Sequence, residues 1–418
     1  MTALAEKDPA PIAAPQATVG GHVRDYIGRV RGGDIGPLPA IIGLLVLCTF
    51  FSIVRPAFLT PRNFANLFTQ GAPVAIIAMG LIFVLLLGEI DLSAGFTSGV
   101  CAAVLAVLLT YHGWPWYGAV LAAILTGVVI GFVLGFLVSK VGVPSFVVTL
   151  AAFLGFQGVL LLLIRGGTNV SVADPVIRAI ENNNLPPWLG WALTVLAIAG
   201  FAAVQLVRYG NRAKRGLTTE PLPVVLFRVA VLGGLLLFAM YVLNLERSIN
   251  TIITSVKGAP IVIVLVGLLL VLGTFVLSRT TYGRHVYAVG GNAEAARRAG
   301  INVDRIRISA FVVGSSLASI GGIVLASKGG SVDPNTGGSN TLLYAVGAAV
   351  IGGTSLFGGK GKIRDAVLGG AVVAVIDNGM GLLDFSSGVK FCTTGVVLLA
   401  YAGVDALSRR RAAATGNR

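Results

Sequence analysis

Residues 278–307 hold the densest polar chemistry in an otherwise apolar chain: Arg279 and Arg284, then Gly290-Gly291-Asn292-Ala293-Glu294-Ala295-Ala296-Arg297-Arg298-Ala299-Gly300. Glu-Ala-Ala has high helix propensity, Asn292 is a good N-cap, and Gly300 is a helix stop. These residues predict a short helix outside the bilayer, with arginines on its surface, shaped to plug into a partner protein. A second constellation, Glu89 and Asp91, lies in Leu87-Gly88-Glu89-Ile90-Asp91-Leu92-Ser93-Ala94-Gly95 between two apolar runs. If both runs are full spans, the acids sit in a tight turn, and Asp91 or Ser93 caps the helix beginning at Ala94. If the break is re-entrant, two carboxylates approach membrane depth, where ionisable groups mark a pathway or a buried pair. Both readings stay open.

Weaker signals follow the same logic. Asp377-Asn378-Gly379-Met380, with Asp384 nearby, fits either a helix C-terminal turn ended by Gly379 or a polar mouth on the outer side. Gln157 and Asn244 fall inside apolar runs, where hydrogen bonding between helices competes with a role as substrate ligands. Glu89, Asp91, Ser93, Gln157, Asp377 and Asn378 are thus the candidates for a translocation path. The stretch Gly352-Gly353-Thr354-Ser355-Leu356-Phe357-Gly358-Gly359-Lys360-Gly361-Lys362 invites a phosphate-loop reading, but Thr354 and Gly361 stand where that pattern needs Gly and Ser or Thr. It reads instead as a flexible basic turn. His22, His112 and His285 are too scattered for a metal site, no nucleophile triad is present, and no catalysis, metal or bound cofactor is expected of this chain. Cys48, Cys101 and Cys392 lie singly in apolar runs and read as small core residues.

The elements that must position these groups are membrane helices. Of 418 residues 55% are hydrophobic and only 11% charged, with a mean hydropathy of +0.88; soluble domains average about 25% charged. Apolar runs near 38–54, 72–88, 94–110, 116–138, 146–164, 188–207, 222–245, 260–277, 307–327, 341–353, 365–380 and 390–405 predict an all-α integral membrane protein. It is a polytopic bundle of 10–12 transmembrane helices, several short of the roughly 20 residues a full crossing needs. Gly127, Gly131 and Gly135 fall four apart, as do Gly95 and Gly99, a packing signal for close helices.

Net charge is +14. Placing the N-terminus inside puts 22 Lys and Arg in internal segments and eight in external ones, which is the positive-inside pattern and not a nucleic-acid surface. Both termini are therefore expected in the cytoplasm, with a tail over 1–37, a transmembrane domain over 38–405 and a basic tail over 406–418. Residues 1–37 show no apolar core of a signal peptide, and at most a weakly amphipathic piece at Val23–Val30. The external loop 165–187, with Thr168-Asn169-Val170-Ser171, is long enough to be a docking surface or a spacer.

Over nearly its whole length the chain resembles the ribose/xylose class of sugar ABC-importer permeases, with the xylose type the nearer match. The resemblance rests on Glu89-Ile90-Asp91-Leu92-Ser93, on Val143-Pro144-Ser145-Phe146-Val147-Val148-Thr149-Leu150 and on Tyr287-Ala288-Val289-Gly290-Gly291-Asn292 leading into Glu294-Ala295-Ala296. It also rests on Ile351-Gly352-Gly353-Thr354-Ser355-Leu356 and Asp377-Asn378-Gly379-Met380. The resemblance implies a bacterial inner-membrane location, a second permease copy, an ATPase subunit that uses ATP and Mg, and an external sugar-binding protein. It makes 278–307 the coupling loop, with Gly291, Asn292, Glu294, Ala295, Ala296, Arg297 and Gly300 as ATPase contacts. The Ile-x-Leu-Pro continuation of the general importer motif is missing. It makes 188–245 the extra pair of spans that lengthens the xylose type. An ion-coupled secondary transporter using Glu89 and Asp91 is the alternative reading.

Overall fold

The computed structural model describes residues 36–414 apart from 166, 218 and 249–254, with helical residues 20, 21, 24 and 28. The predicted amphipathic piece at 23–30 and most of the tail over 1–37 lie outside the described residues. The helices are α1 (Leu38–Val54), α2 (Pro61–Leu86), α3 (Ala94–Thr110), α4 (Trp116–Phe136, prolonged by a π turn over Leu137–Val141) and α5 (Ser145–Leu163). Next come α6 (Pro175–Asn182), α7 (Pro187–Lys214), α8 (Leu222–Asn244), α9 (Ile261–Arg279), α10 (Thr281–Gly291) and α11 (Ala293–Arg298). The chain closes with α12 (Val303–Gly329), α13 (Ser339–Ile351), α14 (Ile363–Leu382) and α15 (Ser387–Ala414). Among the described residues eight helices are long and apolar enough to cross a membrane; α1, α3, α13 and the first part of α15 are shorter apolar helices.

Boundaries move where polar residues extend a helix beyond its apolar run. α2 begins at Pro61, not near 72, because Thr60 caps it, its hydroxyl accepting from the Asn63 N–H at 3.3 Å, and Pro61 suits the first helical turn. α15 likewise continues through the arginines to Ala414, into the segment read as a tail.

Two helices make the centre. α2 is almost wholly buried, with Ile76, Ile77, Ile82 and Leu86 fully inaccessible, and α12 packs on α2, α3 and α4. α2 and α12 run antiparallel, since Gly80 lies against Gly314 while Ile77 lies against Gly321. The predicted glycine row does its packing here: Gly127, Gly131 and Gly135 of α4 meet the backbones of Ser315, Phe311 and Ile308 in turn.

Each central helix is followed by a break and then a short helix. The break 87–93 leads to α3, and 330–338 leads to α13. The two breaks meet: Gly95, at the start of α3, touches the carbonyls of Gly337 and Gly338, and Gly99 touches that of Thr336. Glu89 pairs with Arg307 near the start of α12, whereas Ser98 lies against Gly322. Fifteen helical residues separate Arg307 from Gly322, roughly 22 Å at 1.5 Å per residue. The break and the first turn of α3 together therefore run along α12, from its start to its last third. α3 and α13 are short apolar helices, each following a break after a central helix, and their N-termini converge.

At the end opposite α11, the long loop 165–187 is folded, not a spacer. Val170–Ser171 (β1) pairs antiparallel with Ser331–Val332 (β2), with Val170 opposite Val332. Asp174 caps α6, accepting from the N–H groups of Val176 and Ile177, and Asn182 Nδ2 donates to the Ser327 carbonyl at 2.8 Å. On the periphery α7 and α8 pack mainly on each other and reach the bundle through α2. Few of their residues are buried, and they present Leu196, Val207, Phe227 and Phe238 to the surroundings.

Candidate functional site

The polar stretch 278–307 folds as two helices in series, not one. α9 ends at Arg279, and Thr280 immediately caps α10, its hydroxyl accepting from the Gly283 N–H at 3.1 Å. Asn292 caps α11 as expected, Oδ1 accepting from the Ala295 N–H at 2.9 Å, and Gly300 turns the chain with φ +83°. Asn302 then starts α12 by accepting from the Arg305 N–H. α10 went unseen in the sequence because Tyr282, Val286 and Val289 make a stripe too weak to stand out beside the membrane spans.

On α11, Ala296 faces inward and is buried, while Gly291, Asn292, Glu294, Ala295, Arg297 and Gly300 are exposed. Glu294 lies 3.3 Å from both Arg297 and Arg298. Exposed pairs of this kind contribute only about 0–1 kcal/mol, so these charges remain free to exchange partners.

The base beneath α11 is rigid. Gly290 sits directly on the Leu86 carbonyl at the end of α2, and that carbonyl also accepts the Gly359 N–H at 2.8 Å. Gly88, with φ +74°, lies against Phe357 and Gly358. The Tyr287 hydroxyl donates to the Gly361 carbonyl at 2.7 Å; burial, with the nearby Asp365 carboxylate, raises its pKa and keeps it a proton donor. The Lys362 N–H donates to Asp365 Oδ2 at 2.7 Å, the Thr354 hydroxyl donates to the same oxygen, and the Ser355 N–H donates to the Lys360 carbonyl. The glycine-rich segment read as a flexible turn is thus a folded bracket, with Thr354 and Ser355 buried. What conceals this in the sequence is that its bonds run to residues some 70 and 270 positions away.

The acidic break is held just as firmly. Arg307 lies 3.0 Å from Glu89. The backbone of Ile90 is satisfied on both sides by α5: its N–H donates to Ser145 Oγ at 3.2 Å, and its carbonyl accepts from Thr149 Oγ1 at 3.1 Å. Asp91 is buried, and its Oδ1 accepts both the N–H of Ser93 at 2.8 Å and its hydroxyl at 2.6 Å, which sets the carboxylate at the N-terminus of α3. Ser93 is the first residue of the cap but makes no side-chain capping bond.

The path candidates fall in separate places. Glu89, Asp91 and Ser93 share the break; Gln157 is exposed on α5; Asp377 and Asn378 lie at the far end of α14. There Asn378 Nδ2 donates to Asn63 Oδ1 at 2.9 Å, and Asp377 lies 3.8 Å from Lys390. Asn244 bonds back to Met240 of its own helix, not across to another. Cys101 is buried and Cys48 partly so, but Cys392 is exposed, outside the core expected for it. Among the described residues no cluster of His, Cys, Asp and Glu could hold a metal.

Four sequence motifs, 86–93, 143–149, 287–300 and 352–361, therefore share one contact set. Residues 63–402 match the family described as branched-chain amino acid transport system / permease component. The chain belongs to this permease family. The permease is 33% identical over 374 residues to the xylose transport system permease protein XylH of Escherichia coli (strain K12), which covers 90% of this chain and 92% of that one. It is 32% identical over 372 residues to XylH of Haemophilus influenzae (strain ATCC 51907 / DSM 11121 / KW20 / Rd), covering 89% and 96%. The ribose import permease protein RbsC of Escherichia coli (strain K12) is 30% identical over 372 residues, covering 88% and 92%. No solved structure matches the permease. The family description and the relatives name different cargo, so membership defines a multi-pass membrane permease, a conduit and not an enzyme, and leaves its cargo to chemistry.

Proposed function

We propose that this permease imports xylose or a closely related monosaccharide across a bacterial inner membrane, driven by ATP hydrolysis in a separate subunit. α11 docks into that ATPase, which holds the ATP and Mg; the permease itself binds no cofactor. Two copies pair in the membrane, and an extracytoplasmic sugar-binding protein delivers the cargo at the end bearing the 165–187 loop. The end bearing α11 faces the cytoplasm, as do both termini. Selection resides in the binding protein, and the path between inner helices, with Glu89, Asp91, Ser93, Gln157, Asp377 and Asn378 as candidates, is weak and unspecific.

The observation that carries this reading is the exposed rim of α11 standing on a base locked by Gly290, Leu86 and Gly359. A push on α11 passes to α10, whose Gly290 abuts the Leu86 carbonyl, and so to the end of α2 and the break that leads to α3. The cargo is supported by relatives named for xylose and ribose transport. In proteoliposomes holding the permease, its ATPase and its binding protein, labelled xylose should accumulate only with ATP, and unlabelled xylose should compete better than ribose. Glu294→Lys should abolish uptake while insertion and fold persist. Normal uptake by that variant with the ATPase still attached would sink the reading.

A further inference from the structure

The α7–α8 hairpin, which the coupling base does not use, carries a site of its own. A cleft of about 500 Å³ opens between the basic ends of α7, α8 and α9, lined by Arg208, Arg212, Arg215, Arg228, Arg279 and Glu220 among others. Arg208 and Arg212 lie one turn apart on one face of α7, and Arg215 follows at its C-cap. Glu220 is occupied, lying 3.0 Å from Arg228. Among the described residues no carboxylate pairs with Arg208, Arg212, Arg215 or Arg279.

Arginines scattered on a cytoplasmic loop need no ligand, since water and counterions suffice. Three features separate this cluster from that case. The guanidiniums come from three helices and line one concavity, so their positive charges add within it. Guanidinium forks fit phosphate oxygens with two parallel hydrogen bonds, and Tyr209, Asn211 and Ser278 add neutral polar groups to the same wall. Finally, the cleft adjoins bare apolar surface: Val204, Val207, Leu226 and Phe227 are all exposed on α7 and α8, one or two turns from the arginines.

We infer that this cleft binds the headgroup of an anionic phospholipid, with acyl chains lying along α7 and α8. The excess of four positive charges over Glu220 exceeds what one phosphodiester neutralises, so a headgroup with two phosphates, as in cardiolipin, matches best. Basic pockets between membrane helices commonly take such headgroups. The lipid would bridge a hairpin with few protein contacts of its own to Ser278 and Arg279, directly before the cap of α10. The inference is independent of the sugar carried.

The test is native mass spectrometry of the purified full-length chain, with cardiolipin, phosphatidylglycerol or phosphatidylethanolamine added. Inorganic phosphate is tested separately by thermal melting. Retention should rank cardiolipin first and phosphatidylethanolamine last. The combined variant Arg208→Gln, Arg212→Gln, Arg215→Gln should bind cardiolipin about a hundredfold more weakly, from about a fivefold loss per arginine near the surface. If that variant does not elute as a single species, Arg212→Gln alone, at an exposed position, carries the test with about a fivefold loss. Equal cardiolipin retention by wild type and variant overturns the site. Melting raised by inorganic phosphate as much as by cardiolipin overturns the lipid as its source.

Discussion

Gly290 and Gly291 are neighbours at the end of α10 with opposite surroundings, and that contrast makes a sharp test of the coupling base. A Cβ added at Gly290 would fall inside the Leu86 carbonyl oxygen and crowd the Gly359 nitrogen, while one added at Gly291 would meet nothing within 4 Å. Both obstacles are backbone, so no side chain can rotate away. Gly290→Ala must therefore part α10 from α2 and disrupt the 2.8 Å bond from the Gly359 N–H to the Leu86 carbonyl. Losing that bond costs about 0.5–1.5 kcal/mol and overpacking about 1–3 kcal/mol. The better helix propensity of Ala offsets about 1 kcal/mol, leaving a net cost of about 0.5–3.5 kcal/mol. Local opening should rise by about 2- to 400-fold. The assay is hydrogen exchange by mass spectrometry on a peptide covering 355–362, where the Gly359 amide should lose that much protection. ATP-driven uptake should fall with it. Gly291→Ala should leave the exchange of that peptide unchanged. Wild-type exchange and uptake in Gly290→Ala would refute the idea that these backbones bear on one another.

Two further outcomes are expected. Asp91→Asn should transport nearly as well as wild type, because an amide oxygen can take the place of Asp91 Oδ1 in accepting from Ser93, whereas Asp91→Ala should lose about 1.5–3 kcal/mol of stability with the bonds to Ser93; a strong uptake defect in Asp91→Asn at normal complex levels would show that the charge itself acts in transport. In a background lacking Cys48, Cys101 and Cys392, Asn183→Cys should react with an impermeant thiol reagent in intact cells and Arg298→Cys only after the membrane is opened; labelling of the Arg298 site in intact cells would overturn the sidedness.

Hydropathy carried most of the bundle, because apolar length is a property of each segment alone. The bounds of α1 and α3 coincide with the runs 38–54 and 94–110, and α11 was legible from its cap and stop residues. Polar extensions were not: residues 61–71 of α2 look like a loop until Thr60 and the packing around Asn63 are seen. The depth of the Glu89–Asp91 break stayed open in the sequence because it depends on Gly95 meeting Gly337, more than 240 residues away. The same holds for the bracket at 352–361. A row of glycines is equally consistent with flexibility and with close packing, and only the identity of the neighbours decides. Ser145 and Thr149 were noticed only as part of a family motif. Their task, satisfying both polar groups of the Ile90 peptide, is invisible without the fold.

The shared contact set also sets the terms for building chimeras. Exchanging α10 and α11 for those of another permease, to redirect this chain to a different ATPase, replaces only one of three abutting surfaces. The grafted helix would bring its own requirement at the place of Gly290, while the host backbone at Leu86, Gly88, Phe357, Gly358 and Gly359 would keep the old shape. The transferable module is thus discontinuous, comprising 86–93, 281–300 and 352–361 together. Swaps that respect this grouping should yield folded hybrids, and swaps of the 281–300 stretch alone should yield a hybrid whose α11 is present but poorly seated.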